Sequence, residues 1–92
     1  MRLFHTTTPE AASAILREGF RDTDEELHQG RWYHGSWFSD ERLSEIGSAF
    51  LAIELPDELA QQYELSGEFH GYRRWLIPAS VLAYQRPVHA VD

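Results

Sequence analysis

Leu3-Phe4-His5-Thr6-Thr7-Thr8-Pro9-Glu10-Ala11-Ala12-Ser13-Ala14-Ile15-Leu16-Arg17-Glu18-Gly19-Phe20 reads as a strand handed directly to a helix. Residues 2–5 are a short apolar run that predicts a strand. Thr8 is placed to cap a helix, because its hydroxyl can accept from the orphan N–H groups of the first turn. Pro9 suits the first helical position, where a missing N–H costs nothing. Ala11, Ala12, Ile15 and Leu16 recur at helical spacing and form one apolar stripe. Gly19 ends the helix as a C-terminal glycine does, and Phe20 turns back toward the core. Polar groups at such a junction add to the backbone N–H groups of a helix N-terminus, so His5, Thr6 and Thr7 are candidate ligand contacts. The plainer reading is structural: His5 closes an edge strand and the threonines cap the helix. On these residues alone both readings stay open.

Working outward, residues 21–31 are polar and acidic and read as a loop. Asp22 and Asp24 alternate as in a calcium loop, but the glycine and terminal glutamate of that motif are missing. Trp32-Tyr33-His34-Gly35-Ser36-Trp37-Phe38-Ser39-Asp40 is an aromatic strand, with a bulge or close backbone approach expected at Gly35. Residues 40–47 read as a connection. Ala49 to Leu55 is a strand with Leu51, Ile53 and Leu55 on one face and Phe50, Ala52 and Glu54 on the other. Pro56 stops it, Asp57 to Gln61 makes one helical turn, and Tyr63 to Leu65 a short strand. Gly67 to Gly71 is a loop and Tyr72 to Ile77 the next strand. Pro78 to Leu82 reads as a turn, and Ala83 to Val88 as a last edge strand tolerant of Pro87. The sum is an α+β chain, a small antiparallel sheet with one or two helices packed on it.

The 92 residues suit one domain, 1–92. Hydrophobic residues at 42 % and aromatics at 13 % supply one compact core. There is no cysteine, hence no disulfide framework and no thiolate chemistry. No apolar run approaches the ~18 residues of a membrane span, and no signal-peptide pattern opens the chain; a cytoplasmic protein is expected. Fifteen acidic against eight basic residues give a formal charge of −7. That balance argues against nucleic acid and anionic membranes as partners, yet leaves room for one anionic ligand held by a few arginines.

Several chemistries lack their residues. There is no Gly-x-Ser-x-Gly elbow and no glycine-rich phosphate loop. The five histidines, His5, His28, His34, His70 and His89, form no paired metal motif, so no metal is expected. Besides His5 to Thr7, the second candidate group is Gly35-Ser36-Trp37-Phe38-Ser39-Asp40. One of two adjacent strand residues must point away from the core, so Trp37 or Phe38 can offer a flat face to a planar ring. Trp32, Tyr33 and Trp37 read equally well as an interface patch, for a protein partner or a homo-oligomer.

Together these groups resemble the ADP-ribosyltransferase superfamily, in particular its poly-ADP-ribose-polymerase-like branch. That family opens on an apolar strand ending in His-Gly-Ser or His-Gly-Thr, matched by Phe4-His5-Thr6-Thr7. Its Ala-x-x-Ile-Leu-x-x-Gly-Phe or Gly-Leu helix is matched by Ala11 to Phe20. Its Gly-x-Tyr-Phe-Ala/Ser-Asp segment is matched by Gly35 to Asp40, and its late strand by Tyr72 to Ile77. The resemblance implies a small split antiparallel sheet and NAD or a related nucleotide as the ligand. It implies that His5 holds a ribose hydroxyl, that Thr6 offers its backbone to the carboxamide with Thr7 supporting, and that Trp37, beside Phe38 and Ser39, stacks on the nicotinamide ring.

Two departures bear on activity. Thr6 stands where the family has glycine, which hinders close backbone approach. Arg74 stands where the family's glutamate is expected, and a cation there repels the positive charge of an oxocarbenium-like transition state. Glu68 or Glu64 would then have to supply the carboxylate, with Glu68 the candidate catalytic residue. Two functions follow as expectations. One is transfer or hydrolysis at the nicotinamide–ribose bond. The other is a catalytically inactive binding or interaction module that lost the glutamate, with Arg74 gripping a phosphate or carboxylate. Arg74 pointing into the cleft favours the second.

Overall fold

A computed structural model describes the chain over residues 1–26, 32–69 and 71–90, with side chains over 1–22, 34–65 and 71–90. The elements in chain order are β1 (Arg2–Thr7), α1 (Pro9–Glu18), β2 (Thr23–Glu26), β3 (Trp32–Ser39), β4 (Ala49–Glu54), α2 (Asp57–Tyr63), β5 (Glu64–Phe69), β6 (Tyr72–Ile77), α3 (Ala79–Leu82) and β7 (Val88–His89). The α+β class follows directly. The sheet runs β5-β6-β3-β1-β4-β7, with β2 paired to β3, and every pairing is antiparallel.

The opening junction forms as its residues dictate. Thr8 Oγ1 accepts from the Ala11 N–H at 3.1 Å. The helix ends at Gly19, whose φ of 90° suits a residue without a Cβ, and whose N–H donates to the Ile15 carbonyl at 2.7 Å. β1 is a central strand rather than an edge, because β3 and β4 flank it.

All three helices cover one face of the sheet. Leu3, Leu51, Ile53, Leu55, Trp75 and Ile77 are its largest fully buried side chains. They meet Ala12 and Ile15 of α1, Leu59, Ala60 and Tyr63 of α2, and Val81 and Leu82 of α3 in two adjoining clusters. The opposite face carries Phe4, Thr6, Trp37, Ser39, Phe50, Tyr72 and Arg74, as strand alternation and the ladder registers require. No helix covers it. The connection 40–48 lies against it instead: the Leu43 N–H donates to Thr6 Oγ1 at 3.3 Å, and the Arg42 guanidinium sits 6.0 Å from the Phe50 ring centroid.

Four local readings are corrected. Residues 23–26, read as loop, form β2, paired from Thr23↔Gly35 to Glu26↔Trp32. An acidic segment of weak strand propensity takes that form because an aromatic strand lies beside it, and pairing outweighs intrinsic preference. β5 runs on to Phe69, past the loop expected from Gly67, with a register shift between Leu65 and Phe69. Pro78 to Leu82 closes as a short helix: its first residue's N–H, which Pro78 cannot satisfy with a side chain, donates to Asp22 Oδ1 at 2.7 Å. The final strand shrinks to Val88–His89, since Pro87 has no N–H to give a ladder. Among the described residues no helix is long and apolar enough to cross a membrane.

Candidate functional site

β1 and β3 are joined by a single registered pair, Phe4↔Ser39, whereas β1 pairs with β4 along its whole length. The ladder therefore opens beyond Phe4, at His5 to Thr7. His5 bridges the opening: its Nδ1–H donates to the Trp37 carbonyl at 2.7 Å. A carbonyl only accepts, so Nδ1 carries the proton. The imidazole lies edge-on to Phe20, with centroids 5.4 Å apart, and tilted against Phe38 at 5.5 Å.

The strand alternation divides the sequence-predicted residues between two cavities. On the uncovered face, Thr6, Trp37, Phe38, Ser39 and Arg74 line a groove of about 220 Å³ together with Phe4, Leu43, Ile46 and Tyr72. On the helix side, His5, Thr7 and Trp37 line a second cavity of about 400 Å³ with Ser36 and residues of α1. Trp37 borders both. The single cleft expected to hold His5, Thr6 and Arg74 together is thus two sites back to back, because residues i and i+1 of a strand face opposite ways.

Arg74 lies in the groove. The register sets it opposite Ser39, two pairs from Trp37↔Leu76 and so on the same face as Trp37. Its guanidinium carbon is 4.8 Å from the Trp37 ring centroid, a cation–π contact on the very ring proposed to stack a ligand. Ser39 is buried; its Oγ donates to the Glu41 carbonyl at 2.6 Å and so supports the groove wall rather than offering a free hydroxyl. Phe38 is a core residue, 2 % exposed, and its ring faces the helix side with Phe20 and His5.

Arg73, one residue away, has a different task. Its Nε and Nη2 donate to the two oxygens of Glu64 at 2.7 and 2.6 Å, a bidentate pair at the sheet margin. The hydrogen bonds from Arg73 hold the Glu64 carboxyl below its usual range and push the guanidinium up. Glu64 is therefore turned toward Arg73, not His5. Glu68 belongs to β5, but its side chain lies outside the described residues, as do those of Trp32 and Tyr33. Among the described residues no three metal-ligating side chains converge.

Phe4, Tyr72, Leu43 and Ile46 are the groove residues that the sequence reading missed. Phe4 and Tyr72 carry a signal: each sits two residues from a predicted one, Thr6 and Arg74, and so shares its face. Leu43 and Ile46 carry little signal, being isolated apolar residues in a polar connection.

Burial lowers the His5 pKa, and its hydrogen bond to the Trp37 carbonyl only partly offsets that. The folded imidazole thus binds fewer protons than the unfolded one, which titrates near 6.5. Stability from this group is complete above 6.5 and is lost as pH falls toward the folded value, by at most about 1.4 kcal/mol per pH unit. We expect the melting temperature to fall between pH 7.5 and 5.5. His5→Asn, whose amide can donate to the same carbonyl, should flatten that slope. An equal slope in both proteins would remove His5 as its source.

No family model matches this chain, and no curated protein or solved structure matches it either.

Proposed function

We propose that this protein is a non-catalytic nucleotide-binding module with an ADP-ribosyltransferase-like fold, which takes NAD or a related nucleotide on its uncovered sheet face. The observation that carries the reading is the position of Arg74. It reaches the groove beside Trp37, at the place where the resemblance calls for a glutamate. A carboxylate there would stabilise a cationic transition state; a guanidinium opposes it and serves instead as an anion grip.

The supporting features are physical. Trp37 offers a broad π face, Phe4 and Tyr72 extend the aromatic lining, and Arg74 supplies a charge suited to a phosphate. At about 220 Å³ the groove is smaller than the roughly 300 Å³ at which sites for drug-sized ligands begin, so it holds one end of a nucleotide, and the remainder lies along the sheet face. In this reading His5 positions Trp37 through its carbonyl and does not touch the ligand.

The test is a two-dimensional amide NMR titration of the 92-residue chain with ADP-ribose, NAD and nicotinamide in turn. Binding predicts shifts at Thr6, Trp37, Ser39, Tyr72 and Arg74, with the nicotinamide signals of NAD unchanged over hours. No shift at millimolar ligand would defeat the nucleotide reading. Release of nicotinamide would restore the transferase or glycohydrolase reading and direct attention to Glu68, and Arg74→Glu should then raise the rate.

A further inference from the structure

We infer that the helix-side cavity is a second ligand site, built for an apolar ring compound whose one N–H or O–H donor bonds to His5 Nε2. The site lies across the sheet from the groove and stands independently of the nucleotide reading.

The strands open the site. Between β1 and β3 the registered pairing stops at Phe4↔Ser39. Just past it the Trp37 carbonyl accepts from the imidazole at 2.7 Å, so a side chain makes a bond that a closed ladder makes from backbone. The imidazole stands in the gap, held between the rings of Phe20 and Phe38. Beside it α1 walls the space with Ala11, Ala14, Ile15 and Gly19, next to His5 and Thr7. At about 400 Å³ the cavity falls within the size range of small-molecule sites, and its wall is mostly apolar.

The tautomer sets the chemistry. Nδ1 gives its proton to the Trp37 carbonyl, so Nε2 of the neutral ring carries a lone pair and accepts. Burial favours that neutral ring, because it disfavours the charged form. Among the described residues no donor reaches Nε2. Polar side chains at the rim bond to one another instead. Ser36 Oγ donates to the Arg21 carbonyl at 3.0 Å, and Arg21 Nη2 donates to Glu18 Oε2 at 3.1 Å. A ring with one donor therefore buries its apolar body against α1 and exchanges water for Nε2. A ring of the same shape without the donor strips water from Nε2 and returns nothing.

Indole and 1-methylindole share a ring and differ in that donor. We would titrate each into the intact nitrogen-15-labelled chain at pH 7.5 and follow amide and imidazole resonances by NMR. Indole should shift the amides of Thr7, Ala11, Ala14, Ile15 and Gly19 and the His5 Nε2 resonance. 1-Methylindole should bind roughly tenfold more weakly and leave the Nε2 resonance in place. His5→Asn keeps an amide donor for the Trp37 carbonyl and withdraws Nε2, so it should bring the affinity ratio close to one. Neither probe binding at millimolar concentration overturns the site. Equal affinities in the wild-type chain overturn the donor requirement. Shifts confined to Tyr72 and Arg74 place the ring in the groove and overturn the helix-side assignment. A ratio that persists in His5→Asn overturns the role of His5. Should that variant fail to fold, the wild-type Nε2 resonance decides.

Discussion

Gly35→Ala should lower the melting temperature of this domain by roughly 12 to 24 °C, the shift that about 3 kcal/mol produces in a chain of this size. A Cβ at position 35 would lie 2.7 Å from the carbonyl oxygen of Ile77 and 2.8 Å from its carbonyl carbon. Both atoms are backbone in the neighbouring strand β6, so no side-chain rotation relieves the overlap. β3 would have to move away from β6, and the Ser36↔Ile77 and Trp37↔Leu76 pairs begin at that point. Gly71→Asn is the control. Gly71 has a φ of 83°, where asparagine is tolerated, and its Cβ position has no atom within 4 Å. Thermal melts followed by circular dichroism separate the two. If Gly35→Ala melts within a few degrees of Gly71→Asn, the β3–β6 register described here is wrong.

Gly35 also marks what could be read from the residues and what could not. A glycine among aromatic strand residues signals a close backbone approach, and one is present. The opening junction was equally legible: Thr8, Pro9 and Gly19 act through bonds within their own helix, so local chemistry decides them. The alternation of β4 was legible for the same reason, since Leu51, Ile53 and Leu55 bury themselves by period alone. β2 was not legible. Thr23 to Glu26 has no apolar periodicity, and its strand form exists because Trp32 to Gly35 pairs with it. Such a partner-imposed element leaves no mark in its own residues.

The site shows the same divide. That His5, Thr6, Trp37 and Arg74 lie near one another follows from their places at the meeting of β1, β3 and β6. That His5 and Thr6 open into different cavities also follows from alternation, once the register Phe4↔Ser39 is known. The register itself is a tertiary fact. So is the use of the His5 Nδ1–H on the Trp37 carbonyl, which makes a candidate ligand contact a support for the Trp37 backbone.

The second large effect is expected at Trp75. Its side chain has no exposure, and it packs in the cluster of Leu3, Phe38, Ile53, Leu55, Ile77 and Leu82. Trp75→Ala removes the whole ring from the centre of the helix-covered face and should cost about 3–5 kcal/mol. Domains are stable by only about 5–15 kcal/mol in total, so the variant should unfold at or near room temperature in mild denaturant. Trp75→Phe should cost far less, about 1–2 kcal/mol. It keeps an aromatic ring in the cluster and deletes an Nε1–H that has no hydrogen-bond partner among the described residues, a group whose burial is itself unfavourable. Denaturant titrations of the two variants give the comparison, and equal losses would mean that the core is not centred on Trp75. The pair also connects core to groove. Trp75 and Arg74 are neighbours on β6 facing opposite ways, with Phe38 and Ser39 across the ladder. A ring in place at position 75 holds β6 against β3, and that contact holds Arg74 on Trp37. Trp75→Phe should therefore leave the NMR response of Trp37 and Arg74 to ADP-ribose proposed above in place, whereas Trp75→Ala should lose it even at temperatures where the chain is still folded.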